Sequence, residues 1–304
     1  MVDVEYILRQ RVADPDAIVR AACARSRAGL DTEDGRLLLI AADHPARGSL
    51  GVGDRPSAMA NREDLLQRMQ AALSRPGVDG VLGTADVIED LLLLDALEHK
   101  VVVGSMNRGG LAGSVFELDD RFTGYDAPTL QAMGFDGGKM LTRIDLDDAA
   151  TVRTLERSSQ AVSALADHGL MAMVEPFLSR HVEGRVQNIL TPDAVIKSIA
   201  IGAGLGTTSR RTWLKLPVVD EMDRVMRATT LPAVLLGGDP AHAPAKTYAR
   251  WEKALALHGV RGLVVGRALL YPPDDDVAAA VDVAAELVHS GPGRQKMSDG
   301  GART

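Results

Sequence analysis

Short, almost unbroken apolar runs alternate along this chain with longer stretches whose apolar residues recur at helical spacing. The first run is Leu37-Leu-Leu-Ile-Ala-Ala42, and the pattern predicts strands at 37–43, 79–84, 101–106, 137–144, 170–176, 212–218, 233–238 and 262–267. Helices are expected between them at 62–75, 86–98, 127–134, 149–168, 191–204, 220–229 and 244–258, with a last one at 275–289. Residues 4–29 carry helical spacing and no strand-like run. Strands that are apolar throughout, rather than alternating, are covered on both faces, as in parallel sheets built from βα units. About eight such units in about 250 residues predict an α/β fold of the (β/α)₈ TIM-barrel type. The alternative is an open doubly wound sheet, but no Gly-x-Gly-x-x-Gly follows the first strand. The expected organisation is an N-terminal helical extension over 1–30, a barrel over 31–290 and a polar, Gly-rich, disordered tail over 291–304.

Two segments break this rhythm. Residues 44–61 and 107–126 are long and rich in glycine, and each follows a predicted strand. Loops of that length inside a compact domain are commonly functional. In a barrel both would sit at the C-terminal mouth, where barrel enzymes carry their chemistry.

Composition narrows the field. Aromatic residues make up only 3% of the 304, so the core must be aliphatic. A net charge of −7 argues against a nucleic-acid binder, although clustered arginines could still hold an anionic small molecule. The single cysteine, Cys23, permits neither an internal disulfide nor a cysteine-rich zinc site, and burial is its expected role. No signal peptide is visible at Met1-Val-Asp-Val-Glu-Tyr6, and no apolar run is long enough to cross a bilayer. A cytoplasmic location with no membrane partner is the resulting expectation.

The candidate chemistry lies where polar residues interrupt apolar strands near their C-terminal ends. Asp43-His44-Pro45 ends the first strand, Lys139 and Arg143 lie in the fourth, Glu175 in the fifth and Lys215 in the sixth. Side chains alternate along a strand, so Lys139, Leu141 and Arg143 share one face, as do Trp213 and Lys215. Lys215 stands in the apolar run Trp213-Leu-Lys-Leu-Pro-Val-Val219. If buried, its amine loses hydration, its pKa falls and the neutral form becomes a nucleophile toward carbonyls. Alternatively, Lys215 reaches water or a carboxylate at the strand end. Two lysines and two carboxylates could also form a purely structural charge network. The seventh and eighth strands end in Gly237-Gly238 and Gly266-Arg267. Glycines there let backbone amides approach a phosphate, and an arginine adds a charged fork. Arg47, Arg108, Arg143 and Arg180 are candidates for a second anion at the other end of a ligand, each with ordinary surface exposure as the alternative. His44 and His181 lie near strand ends, but the seven histidines are scattered, so no catalytic metal is expected.

These residues resemble the class I aldolases that include deoxyribose-phosphate, tagatose-bisphosphate and archaeal-type fructose-bisphosphate aldolases. The resemblance spans about residues 35–270, and more narrowly it points to an actinobacterial barrel branch associated with inositol catabolism. It implies a Schiff-base lysine at Lys215, a strand-1 aspartate at Asp43, and the tagatose-type lysine and glutamate at Lys139 and Glu175. Phosphate-binding amides are implied at Gly237, Gly238 and Gly266, with Arg267. The archaeal fructose type has a tyrosine on its fifth strand, where this chain has Glu175-Pro176-Phe177, which favours the tagatose-like arrangement. The expected activity is lyase cleavage of a phosphorylated keto sugar or keto-deoxy sugar acid, without a cofactor. One such substrate is 2-deoxy-5-keto-gluconate 6-phosphate, cleaved to dihydroxyacetone phosphate and malonate semialdehyde. Glu175 is the expected acid–base group, with a pKa raised by burial; Asp43 orients the substrate, Lys139 lowers the pKa of Lys215, and His44 hydrogen-bonds the ligand. Other readings are a fructose-, tagatose-bisphosphate or deoxyribose-phosphate aldolase, or a sugar-phosphate-binding barrel without catalysis. Homo-oligomers are expected by analogy with other barrel aldolases.

Overall fold

The computed structural model describes residues 2–238 and 244–290. Two short helices, α1 (Val4–Ala13) and α2 (Ala17–Ala24), precede the first strand. The strands are β1 (Leu37–Ala42), β2 (Gly80–Gly83), β3 (Val101–Ser105), β4 (Gly137–Ile144), β5 (Met171–Val182), β6 (Arg185–Asn188), β7 (Thr212–Leu216), β8 (Ala233–Leu236) and β9 (Val260–Val265). The helices among them are α3 (Arg62–Leu73), α4 (Ala85–Leu93), α5 (Ala127–Ala132), α6 (Ala150–Asp167), α7 (Pro192–Ala203), α8 (Met222–Met226), α9 (Pro244–Leu255), α10 (Arg267–Leu270) and α11 (Val277–His289).

Every strand except β6 joins one parallel sheet, which closes through the β1–β9 and β4–β5 pairings. The fold is therefore an eight-stranded parallel TIM barrel with flanking helices. The unbroken apolar runs reflect two different environments. On β1, Leu37, Leu39 and Ala41 pack inside the barrel with Val101, Val103, Met173, Val234 and Val264. Leu38, Ile40 and Ala42 face the other way, into the layer beneath the helices. Odd-numbered positions on β1 therefore point inward, and Asp43 extends that series toward the C-terminal mouth.

Helix ends follow local chemistry. Thr191 caps α7, its hydroxyl accepting from the amide of Ala194, and Pro192 occupies the first helical position, where its missing N–H costs nothing. Asn61 and Asp276 cap α3 and α11 in the same way. The N-terminal helices pack on α4, where Arg11 bonds Glu89 and Asp90. Cys23, expected to be buried, is exposed instead. The buried residues of α2 are Ile18 and Ala22, and position 23 lies a quarter-turn off that stripe.

The fifth strand differs most from its predicted extent. β5 continues to Val182 and folds back as β6, pairing antiparallel. The turn is Glu183-Gly184, with φ of 51° and 77°. Positive φ at both central residues is the two-residue hairpin geometry that matches strand twist. Among the described residues no helix is long and apolar enough to cross a membrane. The expected tail at 291–304 lies outside the described residues.

Candidate active site

Strand register assembles the charged cluster. On β5 and β7, Met173 pairs with Trp213 and Val174 with Leu214, so Glu175 comes level with Lys215. On the other side, Leu141 of β4 pairs with Glu175, and Lys139 lies two positions lower, opposite Met173. All four side chains converge at the mouth end of the barrel interior. Lys139 Nζ donates to Asp43 Oδ2 at 2.8 Å and stands 2.7 Å from Glu175 Oε2. Lys215 Nζ is 3.1 Å from Glu175 Oε1. Glu175 therefore bridges the two lysines, and Lys139 bridges the two carboxylates. Lys215 retains only 4% of its accessible surface, so the amine is held away from bulk water.

The two lysines respond to this setting in opposite directions. For Lys139, burial disfavours the charge, but Asp43 and Glu175 outweigh it and hold the ammonium more firmly than in water. For Lys215, burial dominates; Glu175 opposes it, the neighbouring Lys139 charge adds to it, and the pKa falls. Burial also disfavours the carboxylate of Glu175, yet the two lysines more than compensate and its pKa is lowered. This corrects the expectation of a raised value, which rested on burial alone and omitted two ammonium groups in contact. Asp43 is likewise buried and held ionised, chiefly by Lys139 and then by His44 and Lys215.

A cavity of about 300 Å³ opens above the cluster, walled by Lys215, Glu175, His44 and Arg47 among others. Gly237, Gly238, Gly266 and Arg267 line the same cavity. Gly238 has a φ of 69°, a conformation that favours glycine. At Gly266 a Cβ would lie 2.2 Å from the carbonyl oxygen of Ala41, so close packing of β9 against β1 requires glycine there, independent of any ligand. Asp43 and Lys139 do not form part of the wall; Lys139 contacts Glu175, which contacts Lys215, and Asp43 in turn holds Lys139. His44 Nδ1 lies 3.5 Å from Asp43 Oδ1. Burial, with Arg267, Lys215 and Lys139 nearby, outweighs Asp43 and pushes the imidazole down to about 4.

The other candidates separate. Arg143 reaches the mouth but donates to Glu117 at 2.7 Å, an ion pair between buried side chains. Arg47 is held more loosely, 3.8 Å from that same Glu117 oxygen. Arg108 is exposed and bridges two loops by donating to the carbonyl of Ala46 and to Thr123 Oγ1. Arg180 is also exposed, on the outer part of β5. His181 pairs with Asp145. Among the described residues no group of three or more His, Cys, Asp or Glu is placed to hold a metal ion.

Two residues at this mouth carried no signal in the sequence pattern. Glu117 fixes Arg143 from within the long loop after β3. Asn188 enters the cavity wall from the β5–β6 hairpin, its Oδ1 accepting from Ser179 Oγ at 2.9 Å. The Glu-Gly turn was the available clue to that hairpin.

Residues 35–285 match the family described as Cgl0159-like. The chain belongs to the Cgl0159-like family. Among solved structures, Cgl0159 from Corynebacterium glutamicum is 55% identical, with 95% of this chain and 99% of that one covered and a TM-score of 0.92. An archaeal fructose 1,6-bisphosphate aldolase is similar over 90% of this chain and 100% of its own, at 16% identity and a TM-score of 0.63. The fructose-bisphosphate aldolase from Slackia heliotrinireducens is 15% identical, covering 95% of this chain and 94% of its own, with a TM-score of 0.56. At these identities the aldolases share the barrel fold with the Cgl0159-like chain. No curated protein matches it.

Proposed function

We propose that the protein is a class I aldolase in which Lys215 forms an imine with the ketone of a phosphorylated keto sugar or keto-deoxy sugar acid. The observation that carries this reading is a buried amine, lowered in pKa, facing a cavity and in contact with a carboxylate. Glu175 takes the proton from Lys215 as the amine attacks the ketone. The resulting carbinolamine loses its hydroxyl as water, with the protonated Glu175 as the proton donor at that oxygen. Lys139 keeps Glu175 in position and keeps Lys215 easy to deprotonate. The iminium is an electron sink that permits cleavage of the bond between the ketone's neighbouring carbon and the carbon beyond it.

The substrate phosphate is assigned to the amides of Gly237, Gly238 and Gly266 with Arg267, which share the cavity with Lys215. Anchoring one end there fixes the ketone near the amine. The far end faces Arg47, which suits a carboxylate or a second phosphate. Within this class 2-deoxy-5-keto-gluconate 6-phosphate is the preferred substrate, giving dihydroxyacetone phosphate and malonate semialdehyde. That choice rests on the resemblance to the inositol-associated branch and on the arginine at the far end.

Borohydride reduction in the presence of candidate substrates, followed by peptide mass spectrometry, tests the proposal. The panel comprises phosphorylated ketoses, deoxyribose phosphate, fructose and tagatose bisphosphates, and keto-deoxy sugar acid phosphates. A covalent adduct on the peptide containing Lys215, absent in Lys215→Met, is expected. A protein that binds these compounds yet traps none of them would be a non-catalytic sugar-phosphate receptor.

A further inference from the structure

Aldol cleavage requires two proton transfers on the substrate after the imine has formed. A proton leaves the hydroxyl on the carbon beyond the breaking bond, and a proton must later reach the enamine carbon. Among the described residues, the titratable side chains on the cavity wall are His44, Arg47, Glu175, Lys215 and Arg267. Lys215 is consumed as the imine. The guanidinium groups stay protonated and cannot act as bases. Glu175 lies against both lysines and serves the proton transfers of imine formation at Lys215, which leaves the sugar hydroxyl to another group.

Resting on the aldolase reading above, we propose that His44 is the catalytic base and acid for these two transfers. Its geometry supports the role. Nδ1 is sealed from solvent, makes no hydrogen bond and faces Asp43 Oδ1 at 3.5 Å. Asp43 is itself fixed by Lys139 through its other oxygen. A carboxylate beside Nδ1 favours the tautomer with the proton there, which leaves the Nε2 lone pair for the cavity. Such contacts are commonly long before substrate binds and shorten in the complex.

The charged groups facing His44 are Asp43 at the end of β1, Lys139 on β4, Lys215 on β7 and Arg267 at the start of α10. In the free protein the three cations and burial keep the ring neutral. A phosphate dianion on Arg267 cancels part of that repulsion, so binding the substrate makes His44 a stronger base. Nε2 then takes the hydroxyl proton. The C–O bond becomes the aldehyde carbonyl, the C–C bond breaks, and its electron pair passes into the iminium to give the enamine. The imidazolium returns the same proton to the enamine carbon. This restores neutral His44 before water releases the ketone product from Lys215.

The test compares wild type, His44→Asn and His44→Gln, using the substrate that wild type traps with borohydride. Failure of wild type to trap any candidate overturns the aldolase reading, and the His44 proposal falls with it. Given a trapped substrate, the His44 variants are expected to keep the Lys215 adduct and half-saturation within about threefold. Cleavage, and exchange of the donor product's carbon-bound hydrogen with solvent deuterium, should both fall by at least about 100-fold. Cleavage within threefold of wild type overturns the proposal, as does loss of the adduct in parallel with cleavage, which would make His44 a structural support for Lys215. Histidine NMR on the intact wild-type protein supplies a measurement that does not depend on the variants folding. Saturating inorganic phosphate should raise the His44 titration midpoint by at least about 1 unit; an unchanged midpoint removes the coupling on which the base depends.

Discussion

Replacing Lys139 with methionine probes the charge network most directly. Methionine approximates the length of the side chain and removes only the ammonium. Lys139 lies 2.8 Å from Asp43 and 2.7 Å from Glu175, and only 3% of its surface is accessible. Its loss leaves Glu175 with the contact to Lys215 at 3.1 Å and Asp43 beside His44 Nδ1 at 3.5 Å. Removing one partner of a buried ion pair costs about 3–5 kcal/mol. For a chain of 304 residues that corresponds to a fall in Tm of about 5–8 °C. A second effect follows at Lys215. Both lysines touch the same carboxylate, at 2.7 and 3.1 Å, on different oxygens. The Lys139 charge is therefore near enough to disfavour a second ammonium at Lys215. Removing that repulsion raises the Lys215 pKa. Thermal unfolding measures the first effect. The pH at which borohydride trapping reaches half its maximum measures the second, and it should move upward. A variant within about 1 kcal/mol of wild type, with an unmoved trapping midpoint, would refute the view that Lys139 holds the carboxylates and tunes the amine.

Two further outcomes concern the frame around the site. At the opposite end of the barrel, His289 pairs with Asp34 at 2.8 Å and Asp79 at 3.3 Å; burial opposes its charge, but the two aspartates raise it to about 9. A raised histidine contributes stability that is complete below about pH 6.5 and is lost as pH rises through about 9, worth about 1–3 kcal/mol after solvent screening. Tm measured from pH 7 to 10 should therefore fall more steeply for wild type than for His289→Asn. At the mouth, Arg143→Met leaves buried Glu117 with the Gly113 amide at 3.0 Å and the longer contact to Arg47, and urea unfolding should show a loss of about 3–5 kcal/mol.

The barrel was legible in the sequence because a strand covered on both faces must be apolar at every position, and that signature is local. Eight such runs with helical stretches between them leave few ways to bury their surface. The charged residues stood out for the same reason: Lys139, Glu175 and Lys215 each interrupt an apolar run. Alternation along each strand fixed which side chains share its face, but not which strands meet across the barrel. The closing β4–β5 and β1–β9 pairings, and the register that sets Glu175 level with Lys215, are tertiary facts. They decide that Glu175 touches two ammonium groups, and with that the direction of its pKa, which burial alone predicts wrongly. They also draw Arg143 to Glu117, some twenty-six residues earlier in the chain, where it is bound rather than offered to a ligand. The β5–β6 hairpin escaped a reading based on apolar runs, since its returning strand is mostly exposed and its formation depends on a two-residue turn. Periodicity follows from each residue's own burial, whereas electrostatics depends on distances between residues far apart in the chain, which exist only once the barrel has closed.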